Sequence, residues 1–244
     1  MAASYLPYGA TPALPLPELA GQGCYGRTAE DLVQAYGGVP MVMDQMREAI
    51  LGECSKVEGI FRGTPGAMLR PPLIAMLDLP PQSQPTFPWS DIARYDPFLP
   101  PKLLMRIVSS SPAPYIPSDI YPVIRGIRAS SDIPIHLFPA LSPARLVILS
   151  PIIHTLHLLS VSHEQTTRMT ALNYAICFAP DLIRGEDPIE DLEICLVPGK
   201  RLPPALSAQR KGTGGDEEDS SLVGVLEMWI RDYAQIERAT SRDG

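Results

Sequence analysis

Apolar residues recur at three- and four-residue steps through most of the chain, and no stretch alternates with period two for long. That pattern predicts an all-α fold. Val42, Met46, Ala49 and Ile50 make one stripe on a helix expected from Pro40 to about Cys54, with Pro40 suited to a first-turn position. Leu103, Leu104 and Ile107 form the inward side of a helix over about 101–108, which leaves Lys102 and Arg106, four residues apart, on one outer face. Ser118 and Asp119 cap a helix expected to run through Arg128. Ser142-Pro143 opens a long apolar helix to about Leu159, with a kink expected at Pro151. A polar turn from His163 to Thr167 leads into a helix from Arg168 to Phe178, which Ala179-Pro180-Asp181 is expected to close. Leu222, Val225, Leu226, Trp229, Ile230, Tyr233 and Ile236 keep a 3.6-residue period over several turns and predict one final helix.

The 28 prolines fall mostly between these elements. Residues 1–24 hold Pro7, Pro12, Pro15 and Pro17 with almost no charge, as an extended tail or strap would. Thr28-Ala29-Glu30-Asp31 starts a short helix, with a hydroxyl cap and acids in its first turn. Residues 67–77 carry Leu69, Leu73, Ile74 and Leu77 around Pro71-Pro72, and a broken helix is expected there. The segment from Pro80 to Pro101 is read as irregular, anchored by Phe87, Trp89, Tyr95 and Phe98. Residues 109–117 form a proline-stiffened connector. Residues 190–219, acidic and then rich in Pro and Gly, are expected to be a loop insertion before the final helix. The division is a tail over 1–24 and a single helical domain over 25–239, with proline-rich loops.

A chain of 244 residues with 45% hydrophobic and 19% charged content can bury a sizeable core. With 20 Lys and Arg against 27 Asp and Glu, the chain is acidic, which argues against a nucleic-acid partner. No run is judged to approach the roughly 18–20 apolar residues of a membrane span, so no transmembrane segment is expected. No signal peptide is expected either, since no basic stretch precedes an apolar one at the N-terminus. Cys24, Cys54, Cys177 and Cys195 lack CxxC spacing and are read as free thiols of a reducing compartment. His154, His157 and His163 have no carboxylate or thiol at ligand spacing, so no metal site is expected and they are read as solvent-facing. The phosphate-cradling G-x-x-x-x-G-K-[ST] sequence is absent, as is the G-x-S-x-G elbow, so the chain is expected to bind no nucleotide of its own.

One stretch stands apart. In Val57-Glu58-Gly59-Ile60-Phe61-Arg62-Gly63-Thr64-Pro65-Gly66, an apolar pair suited to plugging into a core runs straight into an arginine. Gly63 and Gly66 free the backbone behind it and Pro65 stiffens the turn. A cation is therefore held at the tip of a tethered loop. Alone, such an arginine is ordinarily a solvated surface charge. Arg62, Lys102 and Arg106 together put three positive charges in an acidic protein. Asn173 lies at the edge of the apolar face of Met169, Leu172, Ile176 and Ala179, where an amide must satisfy itself locally or point at a partner.

Several of these sequences resemble those of the Rho GTPase-activating protein (RhoGAP) domain family. Gly59-Ile60-Phe61-Arg62 matches its arginine loop, and Lys102-Leu103-Leu104-Met105-Arg106 its Lys-x-x-x-Arg helix. Pro112-Ala113-Pro114-Tyr115-Ile116-Pro117 is similar to the segment that follows that helix. The run from Met169 to Arg184 is close to the family's Met-Thr-Ala-x-Asn-Leu-Ala-x-x-Phe-Gly-Pro-Asn-Leu-Leu-Arg. Gly38-Val39-Pro40 and the helix through Trp229-Ile230-Arg231-Asp232-Tyr233 resemble its first and last helices, so the likeness covers roughly 37–238. The chain departs from the family at Gly63-Thr64, in about three extra residues before Pro112, at Ala179 in place of glycine, and at Asp181 in place of asparagine.

The resemblance implies an all-α activator of Rho-, Rac- or Cdc42-type small GTPases. Arg62 would enter the partner's site as an arginine finger. Lys102 and Arg106 would meet the GTPase switch surface and brace the loop, Asn173 would hydrogen-bond to the partner or the loop, and Asp181 would lie near the contact surface. GTP and Mg²⁺ would belong to the partner, with no cofactor in the chain itself. A cytoplasmic monomer, recruited to membrane or cytoskeleton by a partner, is the corresponding expectation. The alternative is a catalytically weak interaction module that keeps the fold and binds GTPases or other signalling proteins.

Overall fold

Thr28 opens the first helix, α1 (Ala29–Tyr36), with a reciprocal cap. Its hydroxyl accepts from the Asp31 N–H at 3.1 Å, and the Asp31 carboxylate accepts from the Thr28 N–H at 3.3 Å. Gly37 closes the helix in the left-handed region at φ 71°, as helix ends favour. The computed structural model describes residues 23–66, 70–80, 83–207 and 220–240. Nearly all of the expected tail, residues 67–69 and 81–82, the 208–219 part of the expected insertion and residues 241–244 lie outside the described residues.

Every regular element among the described residues is helical, and the one β contact is an isolated parallel bridge between Ile116 and Ile183. The fold is all-α, as the periodicity predicts. α2 (Met41–Gly52) buries Val42, Met43, Met46, Ala49 and Ile50. It packs against α4 (Trp89–Tyr95), α5 (Leu99–Ser109) and α8 (Pro143–Ser162). α8 is the core helix: the Ser142 hydroxyl caps it from the Arg145 N–H, and it packs on α1, α2, α10 (Ala171–Leu182) and α13 (Leu222–Arg231). The largest helix–helix contact joins α10 to α13.

At 20 residues, α8 is long and apolar enough to cross a membrane by length and composition, so the expectation that no run approaches that length is corrected. In this fold its apolar length is spent on the core, where Ile148, Leu149, Ile152, Ile153, Leu156 and Leu159 are buried.

Other departures have local causes. Pro71 and Pro72 do not break the described helix α3 (Arg70–Leu77), which runs through both; the 67–69 part of the expected broken helix lies outside the described residues. The segment read as irregular contains α4, which buries Trp89 and Ala93, while Tyr95 is 73% exposed and anchors nothing. After a 3-10 turn at Ser118–Ile120, α6 (Tyr121–Gly126) ends before Arg128. A π-helical turn at Ile133–Leu137 then runs into α7 (Phe138–Ala140). The polar turn is a short helix, α9 (Glu164–Thr167), closed by Arg168 at φ 54°. α10 continues through Pro180, which forfeits only one main-chain bond near the helix end. The segment expected to be an insertion, 190–219, holds most of α11 (Pro188–Ile194) and all of α12 (Pro204–Ser207). The final helix is two, α13 and α14 (Tyr233–Thr240), divided at Asp232, whose carbonyl accepts from Gln235 and Ile236.

The histidines are also corrected. His154 stacks on Tyr233 with centroids 4.9 Å apart, and His157 Nδ1 is 2.8 Å from the Ile230 carbonyl oxygen. Both are half-buried joints between α8 and the C-terminal helices, not solvent-facing side chains. The four cysteines are free; Cys24 and Cys54 are buried, Cys177 and Cys195 half-buried.

Candidate functional site

From the end of α2 the chain passes through a 3-10 turn at Cys54–Lys56 into the arginine loop. Ile60 and Phe61 are buried, as their place in the sequence predicts, and Phe61 sets its ring edge against Tyr174 of α10. Gly59 takes φ 69°, a conformation that disfavours any side chain there. Its N–H donates to the Thr167 carbonyl at 2.7 Å, and its own carbonyl accepts from Arg62 N and Gly63 N, each at 2.8 Å. The loop is thus tied on its inner side to the end of α9. Arg62 is exposed and, among the described residues, makes no ion pair. Its guanidinium lies back toward Gly59: a Cβ there would sit 3.6 Å from Arg62 Nε.

Lys102 and Arg106 follow one turn apart on α5, both half-buried, with Leu103, Leu104 and Ile107 turned into the core. α10 packs against α5 and carries Asn173, Cys177 and Asp181 at four-residue steps along one side. Cys177 lies in the fields of Lys102, Arg62 and Asp181: burial pushes its thiol up, and the two cations oppose that push. Burial pushes the Asp181 carboxyl up to about 6, with Lys102 and then Arg106 opposing. Arg62, Lys102 with Arg106, and Asp181 are thereby brought from three separate stretches of sequence to one region.

Asn173 stands one turn from Cys177 on the same helix, and the oxygen of its amide is satisfied locally. Asn173 Oδ1 accepts from the Thr170 N–H at 3.1 Å, while the Thr170 hydroxyl accepts from the Asn173 N–H at 3.2 Å. This capping box fixes the side chain at the start of α10. The acceptor is used locally, and the Nδ2 donors have no partner among the described residues.

Four further residues hold the site together, none of them singled out as a site residue by the sequence. Asp96 and Phe98 join the loop to the start of α5. The Tyr174 hydroxyl donates to Thr167 Oγ1 at 3.2 Å, beneath the loop. Arg184 donates to the Ser111 and Ser109 carbonyls at 3.1 and 3.0 Å, tying the connector after α5 to the end of α10. Phe98 was read only as an anchor, Tyr174 and Arg184 only as members of the run from Met169 to Arg184, and Asp96 was missed, its one cue being an aspartate shortly before a helix.

A family model of the RhoGAP domain matches residues 40–187, more than half of the chain. The chain belongs to the RhoGAP domain family. That family is the one of the Rho GTPase-activating proteins, whose partners in general are small GTPases. Among solved structures it is similar to human Rho GTPase activating protein 15, with a TM-score of 0.63 at 15% identity, over 90% of this chain and 94% of that chain. At that identity the likeness concerns the all-α fold. No curated protein matches the sequence.

Proposed function

We propose that this protein accelerates GTP hydrolysis by a Rho-, Rac- or Cdc42-type GTPase, with Arg62 supplied in trans as the catalytic arginine. The observation that carries the reading is Arg62 itself. It is exposed, without an ion pair among the described residues, on a loop anchored by Phe61, and it shares a local field with Lys102. GTP and Mg²⁺ would be held by the partner. As the γ-phosphoryl group departs, charge gathers on its oxygens, and a guanidinium brought there neutralises it through a planar fork of donors. In a related GTPase and its activator the gain is about 10⁵-fold, roughly 7 kcal/mol of barrier. Lys102 and Arg106 supply positive charge for the acidic and carbonyl groups of a switch surface, and the Nδ2 group of Asn173, without a partner among the described residues, supplies donors.

A second reading, a binding module with little activity, is favoured by one observation. Asp181 puts a carboxyl among the cations, where the family usually carries a neutral asparagine. Single-turnover GTP hydrolysis by the three GTPase types, with wild type and Arg62→Ala side by side, separates the readings. The activator reading expects strong stimulation that Arg62→Ala abolishes while binding is retained. Binding without stimulation would establish the module.

A further inference from the structure

The far side of the arginine loop is fixed to the start of α5 by Asp96 and Phe98. Asp96 is nine-tenths buried, and each of its carboxylate oxygens has one main-chain donor. Oδ2 accepts from Gly66 N at 2.6 Å and Oδ1 from Phe98 N at 3.1 Å. Gly63, the residue after Arg62, lies so close to the Phe98 ring that a Cβ at position 63 would overlap its edge. Phe98 in turn accepts at its carbonyl from the Lys102 N–H, in the first turn of α5. Gly63 and Gly66, the two glycines after Arg62, are therefore seated on Phe98, which caps the helix of Lys102 and Arg106, and on Asp96, two residues before that cap.

We propose that Asp96 and Phe98 are positioning residues for Arg62, clasping residues 63–66 to the start of α5 and holding the guanidinium in register with Lys102 and Arg106. The inference rests on the activator reading of Arg62. A loop with two glycines would otherwise sample many conformations, and ordering it only at docking would weaken the complex or slow the reaction. Because a displacement of about 1 Å can cost roughly 10²-fold in rate, fixing the loop in advance is worth more to the reaction than to affinity. The clasp also accounts for glycine at position 63. Any larger residue displaces the Phe98 ring.

The test is Asp96→Asn, which keeps the size of the side chain but leaves either Gly66 N–H or Phe98 N–H facing an NH₂ group, with Gly63→Ala as an independent break in the same clasp. Single-turnover hydrolysis by the GTPase that wild type stimulates best is measured over activator concentration, beside the amide hydrogen exchange of residues 62–66. Both variants are expected to lower the saturating rate about 10- to 100-fold. The half-saturating concentration should stay within about two-fold, and exchange at 62–66 should speed up without a comparable change in α8 or α13. Two results overturn the proposal: an unchanged saturating rate, or a loss accompanied by faster exchange throughout the core, which makes Asp96 a general stabiliser. If wild type stimulates no GTPase, the activator reading fails and the catalytic role of the clasp with it. Local loosening at 62–66 would in that case still separate a failed function from an absent clasp.

Discussion

Phe61 and Tyr174 meet edge to face, with ring centroids 5.5 Å apart and planes at 88°. Through this pair the loop that presents Arg62 leans on α10, the helix that carries Asn173 and Asp181. The Tyr174 hydroxyl reaches Thr167 Oγ1, and the Thr167 carbonyl takes the Gly59 N–H. Loop, α9 and α10 thus close a small triangle around two aromatic rings, and Arg62 stands just outside it.

Loosening that triangle is expected to cost stability before it costs chemistry. Tyr174→Phe leaves the ring pair and removes one hydrogen bond, at about 1 kcal/mol. Phe61→Leu keeps an apolar plug but loses the aromatic contact and some volume, at about 1–2 kcal/mol. Tyr174→Leu and Phe61→Leu, by contrast, each remove the ring pair, so their double variant should differ from the sum of the two by about 0.5 kcal/mol or more. Urea unfolding midpoints of the four proteins of this cycle check this. Strict additivity would mean that the ring pair carries no specific energy.

Asn173 has two duties that one substitution cannot separate and two can. Asn173→Ala removes the capping box as well as the amide, and is expected to cost about 1 kcal/mol of stability along with any loss of GTPase binding. Asn173→Asp keeps an oxygen acceptor for the Thr170 N–H and adds negative charge to the first turn of α10, which the helix dipole favours. Its thermal midpoint should match or exceed that of wild type. If the Nδ2 donors face the partner, Asn173→Asp weakens binding by about 10-fold while the fold is untouched. Equal binding by Asn173→Asp and wild type would confine Asn173 to its helix cap.

The architecture was legible where burial imposes a period. The stripes of α2, α5 and α13 were visible because one face of each must enter the core. Proline misled the reading at two places. At Pro71 and Pro72 it broke nothing in the described α3, and at Pro180 it failed to stop α10. Whether a missing N–H matters depends on its place in the turn, which residue type alone does not fix. The break at Asp232 was hidden because the apolar residues keep their spacing across it. Candidate site residues were legible as types and spacings: Arg62 after an apolar plug, and Lys102 with Arg106 four apart. Their convergence was not, because it depends on α5 packing against α10 across some seventy residues of sequence. Asp96 and Phe98 act by seating a neighbouring backbone, and sequence carries little trace of which backbone a side chain will meet.

Asp181 should make the protein pH-dependent in a direction its surroundings set. The groups acting on its carboxyl are Lys102 and Arg106 from α5, while Cys177 stands one turn before it on α10. Burial outweighs both cations and raises the carboxyl from 3.8 to about 6. Between those two values the folded protein binds more protons at this site than the unfolded chain does. Stability from Asp181 therefore falls as pH rises from about 4 to about 6, then levels. At 1.4 kcal/mol per unit the shift sets a ceiling of about 3 kcal/mol, lowered by the solvent that still reaches this side chain. Asp181→Asn, which restores the family's usual residue, should be more stable than wild type at about pH 7.5, with the gap closing toward about pH 4. Docking of a GTPase would strip more water from the carboxyl and favour its protonated form further. Wild type should then bind more tightly at about pH 6 than at about pH 7.5, while Asp181→Asn loses most of that dependence. Denaturation midpoints and binding titrations across that range test both halves. A stability gap that widens as pH falls would place Asp181 in an ion pair with Lys102 or Arg106 and reverse the sign of the argument.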